Sequence, residues 1–146
     1  MQWRVLDRSG INQSFFQDDP ERLATLLEET DWVVDALLGT GLTRPVEGAI
    51  AAAIDAVNRA GKPVQALDLP SGLDADRGVP LGTAVRATLT ATFVAPKSGF
   101  IAPGAHEYTG PVVVIDIGAP RRLLEPFQAP PRLSGETPGT GHERGR

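Results

Sequence analysis

Hydrophobic and polar positions alternate in ways that divide this chain into short strands and helices. Residues Val33, Val34, Ala36, Leu37 and Leu38 are apolar on both parities of a two-residue repeat. That pattern predicts a strand covered on both faces, as in a parallel sheet lying between helices. Leu23, Leu26 and Leu27 form one stripe after Asp19-Pro20-Glu21, an N-cap signal, and predict a helix ahead of that strand. Ile50, Ile54 and Val57 recur at helical spacing with Ala between them, and Gly61 and Pro63 close that helix. Val64 to Leu69 reads as the next strand. Ala87 to Val94 alternates Thr88, Thr90 and Thr92 with apolar residues, a strand with one more polar face, and Pro111 to Ile117 is the last strand.

Between these elements, Pro70-Ser71-Gly72 turns the chain, and Leu73 to Gly82, rich in Asp, Gly and Pro, reads as an ordered loop. Pro96, Gly99, Pro103 and Gly104 are expected to keep the stretch before the last strand irregular. Trp3 to Leu6 reads as a short strand running into a turn at Asp7 to Gly10. Residues 1–120 are thus expected to form one α/β domain, and the Pro/Gly-rich residues 121–146 a disordered tail or severed linker.

Composition narrows the function. With 146 residues and 41% hydrophobic positions the chain can build one core. A net charge of −4 argues against a nucleic-acid surface, which works by neutralising phosphates. Cysteine is absent, which removes disulfides and thiol catalysis. No stretch approaches the roughly 20 apolar residues of a bilayer span, and the charged N-terminus lacks a signal-peptide core, so the reading is a soluble, cytoplasmic protein without membrane contact.

Chemistry concentrates where strands end. Asp35 interrupts an apolar strand, and a carboxylate there needs hydrogen bonds, a partner or a cation. Gly39-Thr40-Gly41 follows and permits close backbone approach to a ligand. Arg44 stands where the dinucleotide fingerprint G-x-G-x-x-G requires its third glycine, and no Gly-Lys-Ser/Thr follows, so neither fingerprint nor Walker loop is present. Position still favours a phosphate-binding turn with Arg44 as a charge partner, the bland alternative being a tight strand-to-helix connection. Asp68 lies 33 residues after Asp35, the length of one βαβ unit, so the two carboxylates are expected at comparable levels of neighbouring strands, facing one site. Asp68 suits acid–base work or a turn cap. Ser71 has no adjacent His or Lys to activate it and suits a turn or ligand role. Lys97 follows a strand at the ligand-gathering end, although most loop lysines are merely solvated. His106 and His142 are too far apart to suggest a metal site.

Four linked stretches then resemble a known family, the YjeF-type N-terminal domain of NAD(P)H-hydrate epimerase. They are DALLGTGLTRP (35–45), ALDLPSGLDADRG (66–78), TLTATFVAPKSG (88–99) and GPVVVIDIGAP (110–120). The resemblance implies a Rossmann-like three-layer αβα sandwich with a mainly parallel sheet. It implies interconversion of the R and S forms of NADHX and NADPHX, nicotinamide cofactors hydrated at ring carbon six, ahead of an ADP- or ATP-dependent dehydratase domain or protein. By this resemblance Asp35 and Ser71 hold a potassium ion (K+) as cofactor, Gly39, Thr40, Gly41, Leu42, Thr43, Arg44 and Pro45 contact substrate phosphates, and Asp68 is the catalytic residue beside the reacting ring. Lys97 joins the substrate-binding candidates by its position.

Two departures accompany it. The family's upstream loop of the type GNGNNGGDG has no counterpart in residues 1–31, and Thr88 stands where the family usually has Asp. The sequence is therefore expected to be the C-terminal half of such a domain, truncated at its N-terminal side. The competing reading is a non-catalytic remnant that binds nucleotide or forms a homodimer through its sheet edge. A conventional dehydrogenase is disfavoured by the missing third glycine and by the lack of a histidine in any motif.

Overall fold

In a computed structural model of the protein, residues 3–13, 20–120 and 122 are described. Four parallel strands run in the order β1 (Val33–Asp35), β2 (Val64–Leu67), β3 (Leu89–Phe93) and β4 (Val112–Ile115). Around them lie α1 (Trp3–Arg8), α2 (Pro20–Glu29), α3 (Gly48–Ala60), a 3-10 turn at Ser98–Ile101 and the short α4 (His106–Thr109). The domain is α/β with a wholly parallel sheet, as the alternation of apolar runs and helical stripes predicts. Among the described residues no helix is long and apolar enough to cross a membrane.

Register fixes the two faces of the sheet. Val33 pairs with Val64 and Asp35 with Ala66, and Ala66 pairs in turn with Thr90. These side chains share the face on which α2 and α3 pack. Leu27, Ile54, Val57, Val64 and Val85 form its core, with Leu23, Val33 and Ile50 against it. The helix α3 ends at Gly61, which adopts φ 64°, a left-handed cap that a β-carbon would strain.

The opposite face differs from expectation. Val34, Val113 and Ile115 lie on it, and all three are exposed, Val34 by 61%. Apolar residues on both parities of β1 read as burial on both sides, but among the described residues the helical cover lies on one side. Thr90 and Thr92, on the more polar face of β3, are both fully buried on the covered side. Thr90 donates its hydroxyl to the Thr109 carbonyl at 2.7 Å, which satisfies the buried group.

Three other differences have local causes. Trp3–Arg8 is helix, not strand: among the described residues it pairs with no strand, and its backbone is satisfied locally, ending in the Ser9 N–H to Val5 carbonyl bond. The stretch from Pro96 to Gly110 contains one turn of 3-10 helix and one of α-helix despite its prolines and glycines. The last strand is four residues long instead of seven. The expected tail, residue 122 apart, lies outside the described residues.

The loop from Leu69 to Val85 is ordered, as expected, because it has its own small core. Leu69, Leu73 and Ala84 pack with Ala75, Phe100 and Tyr108. From α3, Asn58 donates to the Ala84 carbonyl and accepts the Arg86 N–H, each at 2.9 Å. The loop is thereby fastened to the helix that follows the glycine turn.

Candidate functional site

Both singled-out carboxylates stand at the carboxyl end of the sheet, where ligands gather in open α/β folds. Asp35 is the last residue of β1 and only 3% exposed. Asp68 is the first residue after β2. Because Asp35 is level with Ala66, Asp68 lies two residues further along, not at the same level. The two also engage separate partners.

Asp35 is bound by the turn that follows β2. Its Oδ2 accepts the Ser71 N–H at 2.7 Å and its Oδ1 accepts the Ser71 hydroxyl at 2.6 Å, with the Leu37 N–H at 3.3 Å. Ser71 is 1% exposed, and its Oγ accepts the Leu38 N–H at 2.8 Å. The Leu38 carbonyl lies 3.4 Å from the same oxygen. A buried carboxylate, a hydroxyl and a carbonyl thus converge, and this all-oxygen donor set fits a hard cation better than a transition metal. Among the described residues no cluster of three or more His, Cys, Asp or Glu forms a conventional metal site.

Gly72 explains how Ser71 reaches Asp35. It adopts φ 92°, and a β-carbon there would overlap the Thr83 carbonyl oxygen. Only glycine permits that approach. Gly39 and Gly41 behave differently: neither has a positive φ, and nothing lies within 4 Å of where a β-carbon would stand. The protein's own packing does not require glycine at either position.

The turn after β1 borders a polar cleft of about 280 Å³. Thr40, Leu42 and Thr43 form one wall, and Asp74, Ala75, Asp76, Arg77 and Leu81 the other. Among the described residues the backbone N–H groups of Gly39, Thr40, Gly41, Thr43 and Arg44 have no hydrogen-bond partner. Free backbone N–H groups of this kind are able to donate to an anion. The cleft is smaller than the roughly 300–1,000 Å³ of a typical ligand pocket, so it suits one part of a ligand. Arg44 lines a separate groove with Pro45 and Glu47. Arg77, which the sequence reading did not single out, is the cation on this cleft.

Asp68 is built as a second centre. It adopts φ 69°, a left-handed conformation uncommon for a residue other than glycine. Its Oδ1 accepts three donors: Lys97 Nζ at 2.6 Å, the Phe93 N–H at 3.1 Å and the Thr92 hydroxyl at 3.2 Å. Burial pushes this carboxyl up, but the Lys97 and Phe93 hydrogen bonds, the Lys97 charge and the Thr92 hydroxyl outweigh it and hold the group below its usual value. The structure therefore brings Lys97 to Asp68, and their hydrogen-bond partners differ from those of the Asp35–Ser71 pair. Thr92 and the Phe93 amide were missed from sequence; the buried threonine parity of β3 was the available signal.

Comparison with known proteins places the chain among named relatives. An epimerase of Pirellula staleyi, named NAD(P)H-hydrate epimerase, is 47% identical over 111 residues, 76% of this chain and 49% of the relative. One of the same name from Limosilactobacillus fermentum is 46% identical over 91 residues, 62% of this chain and 44% of the relative. A Thermofilum pendens protein named bifunctional NAD(P)H-hydrate repair enzyme Nnr is 49% identical over 111 residues, 73% of this chain and 21% of its own length. The chain spans about half the length of the single-function relatives and less of the bifunctional one. The family described as YjeF-related protein N-terminus matches residues 2–99, which contain the Asp35–Ser71 pair, the glycine turn, Asp68 and Lys97. The chain belongs to that family.

Proposed function

We propose that this protein acts as an NAD(P)H-hydrate epimerase, interconverting the R and S forms of nicotinamide dinucleotides hydrated at ring carbon six. The observation that carries this reading is Ser71. Its hydroxyl donates to Asp35 while its oxygen accepts from Leu38, so the turns after β1 and β2 form one unit at the ligand end of the sheet.

In this reading the free N–H groups of Gly39, Thr40, Gly41, Thr43 and Arg44, with Leu42 and Pro45 completing the turn, receive substrate phosphates, and the open space beside Gly39 and Gly41 lets the ligand approach the backbone. Asp35 and Ser71 hold a potassium ion with the Leu38 carbonyl. When bound, that ion supplies positive charge beside the phosphate turn. The hydroxyl at carbon six leaves one face as water with a proton from solvent, the ring nitrogen's lone pair supports the cationic species, and Asp68 at its free Oδ2 accepts the proton of the water that adds to the other face and returns it to solvent. An ADP- or ATP-dependent dehydratase, fused or separate, is the proposed next step, in line with the names of the bifunctional relatives.

Incubating pure R hydrate with the protein in potassium and then in sodium buffer tests the proposal. S hydrate forming faster than the spontaneous rate, and faster in potassium, is the expected result. No acceleration in either salt sinks the catalytic reading and leaves a nucleotide-binding or self-associating domain.

A further inference from the structure

Lys97 lies 29 residues beyond Asp68, yet the two form an ion pair at 2.6 Å. Its surroundings are constructed for that contact. The ammonium has three donors. They meet Asp68 Oδ1 at 2.6 Å, the Phe93 carbonyl at 3.3 Å and the Ala95 carbonyl at 3.5 Å. Those two carbonyls face one point because Val94 between them is turned to φ 69°. A β-branched residue is a genuine outlier there, and such strain persists only where its surroundings over-determine it. Phe93 serves both partners, donating its N–H to Asp68 and accepting from Lys97.

All three donors to Asp68 fall on Oδ1. No hydrogen bond reaches Oδ2 among the described residues, and that oxygen is not buried. With its ammonium enclosed by protein oxygens, Lys97 has little to offer a substrate directly. We infer that Lys97 is a positioning residue, which with Phe93 and Thr92 fixes Oδ1 of Asp68 and leaves Oδ2 as the one oxygen that meets the substrate. This deepens the epimerase reading and rests on it. Lys97 is the charged group facing Asp68, so it also keeps that carboxylate ionised.

The test follows the Asp68 carboxyl carbon by NMR across pH in wild type, Lys97→Met, Lys97→Gln and Lys97→Arg, alongside pH profiles of kcat and KM for the R hydrate. In Lys97→Met the Asp68 midpoint rises by about one pH unit or more, a tenfold change in proton affinity. The same displacement appears in the pH profile, kcat falls about tenfold or more, KM stays within about twofold, and Lys97→Arg restores most of the loss. Should Lys97→Met fail to fold, Lys97→Gln keeps a donor without the charge and is expected to behave the same way. An Asp68 midpoint unmoved by loss of the charge overturns the inference, as does a raised KM with unchanged kcat, which would make Lys97 a substrate contact. If wild type does not accelerate epimerisation, the epimerase reading falls, and the NMR midpoint alone decides whether Lys97 positions Asp68.

Discussion

Ser71 and Asp35, 36 residues apart by neither chain neighbourhood nor shared element but joined across two strand ends, are bound by two hydrogen bonds of 2.6 and 2.7 Å. Both residues are almost fully buried, so neither bond is exchanged for water in the folded state. Removing the Ser71 hydroxyl leaves the Leu38 N–H without its acceptor and Asp35 Oδ1 without its shortest donor. Hydrogen bonds to charged groups contribute about 1.5–3 kcal/mol each, so Ser71→Ala is expected to lower the unfolding free energy by about 2–3 kcal/mol. Asp35→Asn is expected to cost at least as much, because its NH₂ faces a donor from Ser71. Urea denaturation midpoints at constant slope check both.

Glycine matters for opposite reasons in the two turns. Gly72→Ala meets a backbone carbonyl at positive φ and is expected to cost on the order of 2–4 kcal/mol. Gly41→Ala meets nothing within 4 Å and is expected to change stability by less than about 0.5 kcal/mol while weakening binding of a dinucleotide about tenfold or more. Thermal melts paired with calorimetric titration of NADP+ separate the two effects. A tight-binding Gly41→Ala variant would remove the phosphate role from that turn.

Acid sensitivity should report on Asp68. Its folded carboxyl lies below the usual value, so folding binds that proton more weakly than the unfolded chain does. The resulting stabilisation is present in full above the unfolded value of about 3.9 and disappears as pH falls through the folded value. Lys97→Met removes the main source of that depression, so wild type is expected to exceed the variant in stability at neutral pH, with the gap narrowing as pH falls through the lowered folded value of Asp68. Asp74, held down by the Arg77 and Asp76 N–H groups, titrates in both proteins and cancels from the difference. Denaturant unfolding at several pH values measures the gap; one that widens in acid contradicts the assignment.

The two sheet faces should respond unequally to mutation. Ile54 is fully buried against β2, and Ile54→Ala is expected to cost about 2–5 kcal/mol. Val34→Thr and Val113→Thr, on the exposed face, are expected to cost less than about 1 kcal/mol. Equal losses on both faces would mean that the second face is covered in solution.

Much of the fold was legible in the chain because helical and strand periods are local properties. The stripe Ile50, Ile54 and Val57 gave α3, and the turn residues gave its end at Gly61. Asp35, Ser71 and Asp68 stood out because a carboxylate or hydroxyl beside a buried strand needs partners. The identity of those partners was not legible. Trp3–Arg8 misled because a four-residue segment carries no clear period.

By itself the sequence determined which segments could be strands and helices, which glycines could turn, and where carboxylates would need company, since each follows from a few adjacent residues. Only the tertiary structure decided that Asp35 is satisfied by Ser71, that Asp68 is gripped on one oxygen by Lys97 and Phe93, that Arg77 rather than Arg44 flanks the Thr40 cleft, and that Val34 is exposed. These pairings join residues 25 or more positions apart, and loop closure over such lengths costs nearly the same for many alternatives. Packing of the whole sheet and its helices selects among them.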